Sequence, residues 1–461
     1  MAGAVLTIKL LAKVTRMIRI SRLLVVLTIF SLIFSNTIHL LAFDYVINDF
    51  KFYPVPDIPR PPKGVPFTDP NFHTSIVRIT NAPMEVPGDK NYAQSGYPKH
   101  DIENADGTKL IIQSRSNSGW HIWNANPPYN KILDIPYTLI GWGRSIDARW
   151  DAVDPNILYF TMNSKLYKYD IRSPDQMTPI HDFKKDFPDP RFAGVGMAEE
   201  GTPSEDSRYW SYGVTYFDKE RSNSQWWTHA IIVFDKDFHG KDKGKVISMI
   251  DKTNPNFRTP GFTSMTPEGK YVWIGDEQFI YPKDLSGVKA MTLCCHADLA
   301  VSKEGRLVIF GFALKHNNWN LGYWATMQDV ETNELTYLAG PIGLGRYHFS
   351  GNSYDKPGWG IISTYQHNQK MGGGPMWNDC EVDLIELTTR KDPPPRVWRL
   401  AKTHTNMKDG YKDAPFAKIN KKGTKVWFGS GWGQSVLDPG AQYGVYQINL
   451  PSTWYQDLMG K

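Results

Sequence analysis

Histidine and arginine side chains carry the first chemical signal in this chain. Imidazole titrates near neutral pH and serves as acid, base or metal ligand. Guanidinium recognises carboxylates through paired hydrogen bonds. His100 and His121 stand on either side of the polar run Asn104–Thr108, and Arg144 and Arg149 follow. His121 lies between Trp120 and Trp123, two aromatic faces of the kind that stack on sugar rings. Tyr212 and Arg221 come later, and His296, His348 and His404 each precede a polar turn. Every one of these residues also has a structural reading. Arg149 suits an ion pair between neighbouring elements, Arg144 a solvated loop, and the three histidines bonds to backbone carbonyls. Large aromatics such as Trp120 and Trp123 dominate buried area. His229, after Trp226 and Trp227, reads as core, and Asn352 and Asp355 read as turn residues.

The cysteines are Cys294, Cys295 and Cys380. An odd, low count excludes a disulfide-stapled scaffold. Cys294-Cys295-His296 with Cys380 offers soft metal ligands, but no Cys-x-x-Cys spacing supports them. A buried thiol or a single disulfide is the simpler reading. No residue is assigned as a metal ligand, and a structural or catalytic divalent metal stays open as a cofactor.

The elements that must position these groups are short and β-rich. A polar turn followed by a β-prone run recurs seven times: Asn104–Gln113, Asp151–Thr161, Thr202–Gly213, Thr266–Gly275, Ser302–Phe312, Tyr354–Thr364 and Asn420–Ser430. Turn residues flanking short alternating strands mark antiparallel hairpins. Residues 76–461 divide into about 55 per repeat, slightly above the period of a four-stranded propeller blade. The expected fold is all-β, a seven-bladed β-propeller over 76–461. Residues 45–75, rich in proline, read as an extended linker.

Ahead of the linker, Leu23–Phe34 is a 12-residue apolar run behind five basic residues, with Ala42 as a small residue at a possible cleavage point. Residues 1–44 therefore read as a signal peptide, with an uncleaved anchor as the alternative. The expected location is secreted or periplasmic, or membrane-anchored and facing outward. The chain carries 52 Lys+Arg against 47 Asp+Glu, a net +5 that is drawn partly from the leader. With no basic stripe in the body, a nucleic-acid partner is not expected. The Gly-rich run Met371–Trp377 lacks the Lys-Ser/Thr of a phosphate-binding loop.

The ordered series NADGTKL, RWDAVDPNILYF, EGTPSEDSRYWSYG, HADLAVSKEGRLVIF, YHFSGNSYDKPGWGIISTY and THTNMKDGYKDAPFAKINKKGTKVWFGSGWG, over residues 76–445, resembles propeller polysaccharide lyases. Order and spacing are similar to the ulvan lyase group and, more distantly, to oligogalacturonate lyases. The resemblance implies β-elimination on an acidic, uronate-containing polysaccharide by a monomer. It makes His100, His121, Arg149, Tyr212 and Arg221 the catalytic candidates. Arg144, Trp120, Trp123, His296, His348 and His404 become the substrate-binding candidates. The chain departs from the group in two places. Ser95-Gly96 stands before Tyr97 where the group has a His pair, and DAPFAKIN (Asp413–Asn420) has no His ahead of its turn. Both departures weigh against a catalytic metal, and either His100 substitutes for the missing base or catalysis has been lost. The alternative is a secreted, non-catalytic propeller that binds carbohydrate or a protein partner.

Overall fold

Gly, Asn, Asp and Pro reverse the chain at each of the seven polar turns, and every turn joins the innermost strand of a small sheet to its neighbour. Gly107 and Gly423 take φ of 75° and 57°, which a side chain tolerates poorly. The computed structural model describes residues 43–82, 84–85, 93–114, 119–135, 148–162, 164–198, 200–216, 227–275, 278–293, 296–315, 322–342, 347–365, 375–405, 413–435, 438 and 440–459. Residues 1–42, and with them the signal or anchor segment, lie outside this set. No helix among the described residues is long and apolar enough to cross a membrane.

The strands form seven antiparallel sheets, six of them meanders in chain order and the last combining both ends of the chain, and together they make a seven-bladed β-propeller. The first blade holds Lys109–Ser114, Gly119–Asn124 and Lys131–Ile135. Its inner edge is an irregular segment that touches the first of these strands at Gln94↔Gln113 and Glu103↔Leu110. Blades two to six begin with inner strands Arg149–Trp150, Phe192–Gly196, Phe262–Met265, Asp298–Val301 and Tyr347–Ser350. The seventh begins with Lys418–Ile419.

The ring closes by combining both ends of the chain in one sheet. Ser75–Arg78 pairs with Gly444–Asn449, with Ile76 opposite Ile448, and Phe67–Thr68 pairs outside it. Phe67–Thr68, within the proline-rich lead-in, is the outermost strand of the last blade, and Ser75–Arg78 follows at the end of the lead-in. An outermost strand needs a partner on one side only, so proline is tolerated beside it. The rest of the lead-in lies along blades six and seven. Arg399 donates to the carbonyls of Asp49 at 2.8 Å and Lys51 at 2.7 Å, and Trp432 Nε1 donates to that of Ile58 at 3.0 Å.

Side chains alternate along each strand, so both faces of a blade meet a neighbour and the core lies between blades. Trp123 packs with Trp427 and Val445 where the seventh blade meets the first. Trp120 packs with Trp150 and Leu158 between the first and second. Tyr212 packs with Trp210 and Tyr159 between the second and third. Cys294 and Cys295 lie outside the described residues. Cys380 is a buried free thiol whose pKa burial pushes up to about 12.

Ring closure by Ile76 gives a direct test. Its side chain is fully buried, and Ile76→Ala is expected to lower unfolding free energy by about 2–5 kcal/mol. Denaturant titration measures this, with exposed Val153→Ala as the unchanged control.

Candidate functional site in the propeller channel

The first blade determines what fills the channel. Between its contacts at Gln94 and Glu103 the inner segment bows inward through a turn in which His100 N donates to the Tyr97 carbonyl at 3.2 Å. Gly96, at φ 75°, opens the bow. The bow then reaches five other blades. His100 meets Arg149 of the second. Lys99 pairs with Glu200 of the third at 2.7 Å and stands 3.5 Å from the centre of the Phe262 ring of the fourth. The Tyr97 ring lies edge-on to His348 of the sixth at 5.5 Å. Lys418 of the seventh donates to the Ser95 carbonyl at 2.6 Å and to that of Tyr97.

Arg149 and His100 are each 6% exposed and share a hydrogen bond of 2.6 Å between the guanidinium and Nε2. Guanidinium has no acceptor, so Nε2 must offer its lone pair and the imidazole is neutral with its proton on Nδ1. Arg149 also donates to the Gly201 carbonyl through Nε at 3.1 Å and to that of Ala148 at 2.9 Å. A Cβ at Gly201 would lie 1.8 Å from the Thr263 carbonyl oxygen, so only glycine allows this approach.

A second group lies further from the turns. Tyr365 shares a hydrogen bond of 2.7 Å with Nδ1 of the fully buried His348, and the His296 ring stacks on His348 at 4.4 Å. The Tyr97 ring, 6.5 Å from that of His100, links the two groups. Two nearby carboxyls, the buried Asp298 and the half-buried Asp101, have raised pKa values. Burial pushes Asp298 up to about 7 against hydrogen bonds from Gly351 N and Leu299 N. Burial and the Glu103 carboxylate push Asp101 up to about 7. Burial pulls the Lys418 ammonium well below its usual range.

Of the residues singled out from sequence, His100, Arg149, His296 and His348 meet around the channel. His121 sits two strands out in the first blade, with Nδ1 2.6 Å from Asp134 Oδ1. Trp120, Trp123 and Tyr212 are the inter-blade packing residues described above. His404 stacks on Trp432 at 3.9 Å. Asn352 Nδ2 donates to the Pro98 carbonyl at 3.5 Å. Arg144 and Arg221 lie outside the described residues. Sequence reasoning passed over Lys99, Tyr97, Tyr365 and Lys418. Lys418 did leave a signal, being a cation between Phe416 and Ile419 in a β-prone run. Among the described residues no three His, Cys, Asp or Glu side chains assemble to hold a metal ion.

No family model matches the chain, and a search of curated proteins finds no match. Solved structures do match. An oligogalacturonate lyase in complex with manganese superposes with a TM-score of 0.56 at 13% identity, covering 89% of this chain and 99% of that one. The oligogalacturonate lyase of Vibrio parahaemolyticus gives 0.56 at 12% identity, covering 89% of this chain and all of the other. At such identity the likeness shows the fold.

His404 supplies a pH prediction. Burial first, and then the Lys402 charge, lower its pKa to about 4 from an ordinary 6.5. Between those values the unfolded chain binds the proton and the folded one does not. Stability is therefore complete above 6.5 and is lost as pH falls toward 4. His404→Asn, which suits the φ of 51° there, is expected to flatten that acid limb in denaturant titrations from pH 7 to 4.

Proposed function

We propose that this chain is an exported, monomeric lyase-like propeller that cleaves an acidic, uronate-containing glycan by β-elimination in its channel. The observation that carries this reading is the pair of Arg149 with a neutral His100, beside Lys99 and within a ring of Tyr97. Elimination needs a cation to neutralise the uronate carboxylate and so acidify the proton at C5. It also needs a base for that proton and an acid for the departing glycosidic oxygen. In this proposal the substrate carboxylate takes up the Arg149 guanidinium and frees the His100 Nε2 lone pair, which accepts the C5 proton. The C–H electrons form the C4–C5 double bond, the C4–O bond breaks, and a tyrosine hydroxyl of Tyr97 or Tyr365 protonates the leaving oxygen. The motif order that resembles ulvan lyases and the fold shared with oligogalacturonate lyases support the assignment. Arg149 replaces the metal as carboxylate neutraliser, consistent with the Ser95-Gly96 departure. The run Leu23–Phe34 supports export.

One observation favours a second reading, a non-catalytic propeller that binds carbohydrate or a protein partner. His100 and Arg149 already satisfy one another, and each is 6% exposed. The test is ultraviolet absorbance of unsaturated uronate during incubation with ulvan, pectate and glycosaminoglycans. The proposal expects a rise with one substrate. His100→Ala is expected to slow it about 10²–10⁴-fold, the range of a lost general base, and Arg149→Lys to slow it as the planar fork is lost. Binding with no rise on any substrate would move the assignment to the second reading.

A further inference from the structure

We propose that the turn end of the channel holds a binding site bordering the proposed elimination site, with Arg149 common to both, for a single neutral sugar ring or a similar small polyhydroxylated molecule. A cavity of about 230 Å³ lies where the turns of six blades meet. It is smaller than the roughly 300–1,000 Å³ of pockets for drug-sized ligands, which suits one ring. Lys99 and Arg149 line it, and both are held in the bow's contacts.

The turns that wall it are tied to one another. Asn104 Nδ2 donates to the Pro155 carbonyl at 2.7 Å, and Ala152 N to Ser207 Oγ at 3.0 Å. Glu205 N donates to the Pro267 carbonyl at 2.8 Å, and Asp355 N to that of Lys421 at 3.0 Å. A rigid wall of this kind is preorganised for a ligand.

Five carboxylates and four cations share the lining, so no single sign dominates. Carboxylates accept from hydroxyls and cations donate to them, a pattern that fits adjacent hydroxyl groups on one ring. Trp150 and Pro267 add apolar wall for its faces. The mouth has a latch, because Lys421 and Glu205 pair at 2.5 Å between the seventh and third blades, which are not neighbours in the ring. Their side chains are 42% and 36% exposed, and an exposed pair of this kind is weak, so it parts readily.

Saturation-transfer NMR on the full chain tests the site with glucose, galactose, rhamnose and xylose, and with galacturonate as the anionic comparison. At least one neutral sugar is expected to receive saturation. Ala105→Trp, which fills the cavity from its wall, is expected to abolish it, and Asp355→Ala to weaken binding about tenfold. Transfer to galacturonate alone, to no sugar, or to neutral sugars undiminished by Ala105→Trp would overturn the proposal. Neutral-sugar binding in a protein that shows no elimination would leave this site standing and remove only the proposed reaction.

Discussion

A cation in the middle of a protein must find partners there, and this propeller buries three around its axis. Lys99, Arg149 and Lys418 are 2%, 6% and 0% exposed. An unpaired buried charge would cost more than the fold can spare. Their partners are drawn from different blades: Glu200 and the Phe262 ring for Lys99, His100 and the Gly201 carbonyl for Arg149, and the Ser95 and Tyr97 carbonyls for Lys418. The inner segment of the first blade is the common element. It leaves regular pairing, crosses the channel, and offers its carbonyls and side chains to the surrounding sheets. A regular inner strand would spend on its neighbour in the ladder the carbonyls that face it, and would keep its side chains in line with the blade.

This arrangement divides the channel by chemistry. On one side of the bow lie His348, His296 and Tyr365, groups suited to moving protons. On the other lies the cavity among the turns, with mixed charge and tied walls. Arg149 and His100 sit between them, and their bond holds the imidazole in one neutral form. Burial raises the Asp298 carboxyl, and burial with the Glu103 charge raises that of Asp101, so both bind a proton more readily than an exposed carboxyl.

Much of the fold was legible in the sequence because turn chemistry is local. Gly107 and Gly423 mark hairpin turns whatever surrounds them, and the recurrence of such turns counts the blades. Closure was less visible. Nothing in Ser75–Arg78 names Gly444–Asn449 as its partner across the whole chain, and the prolines around Phe67–Thr68 made 45–75 read as a linker. The site was legible in part. His100 and Arg149 were found as residue types suited to the chemistry, but their contact depends on how two blades meet. Trp120 and Trp123 flank a histidine in sequence yet face different neighbouring blades, since alternation along a strand sends adjacent side chains to opposite faces. Lys99 was passed over because a lysine in a polar run reads as solvated, and only the inward bow removes it from water.

The hydrogen bond from Arg149 to His100 is the most exposed point of this account. Nitrogen-15 NMR of the histidine rings at pH 7, with His100 assigned by comparison with His100→Gln, reports tautomer and protonation directly. The expected result is a neutral ring with its proton on Nδ1 and Nε2 accepting, and a change in the Nε2 shift on Arg149→Lys. A protonated ring, or a proton on Nε2, would contradict it.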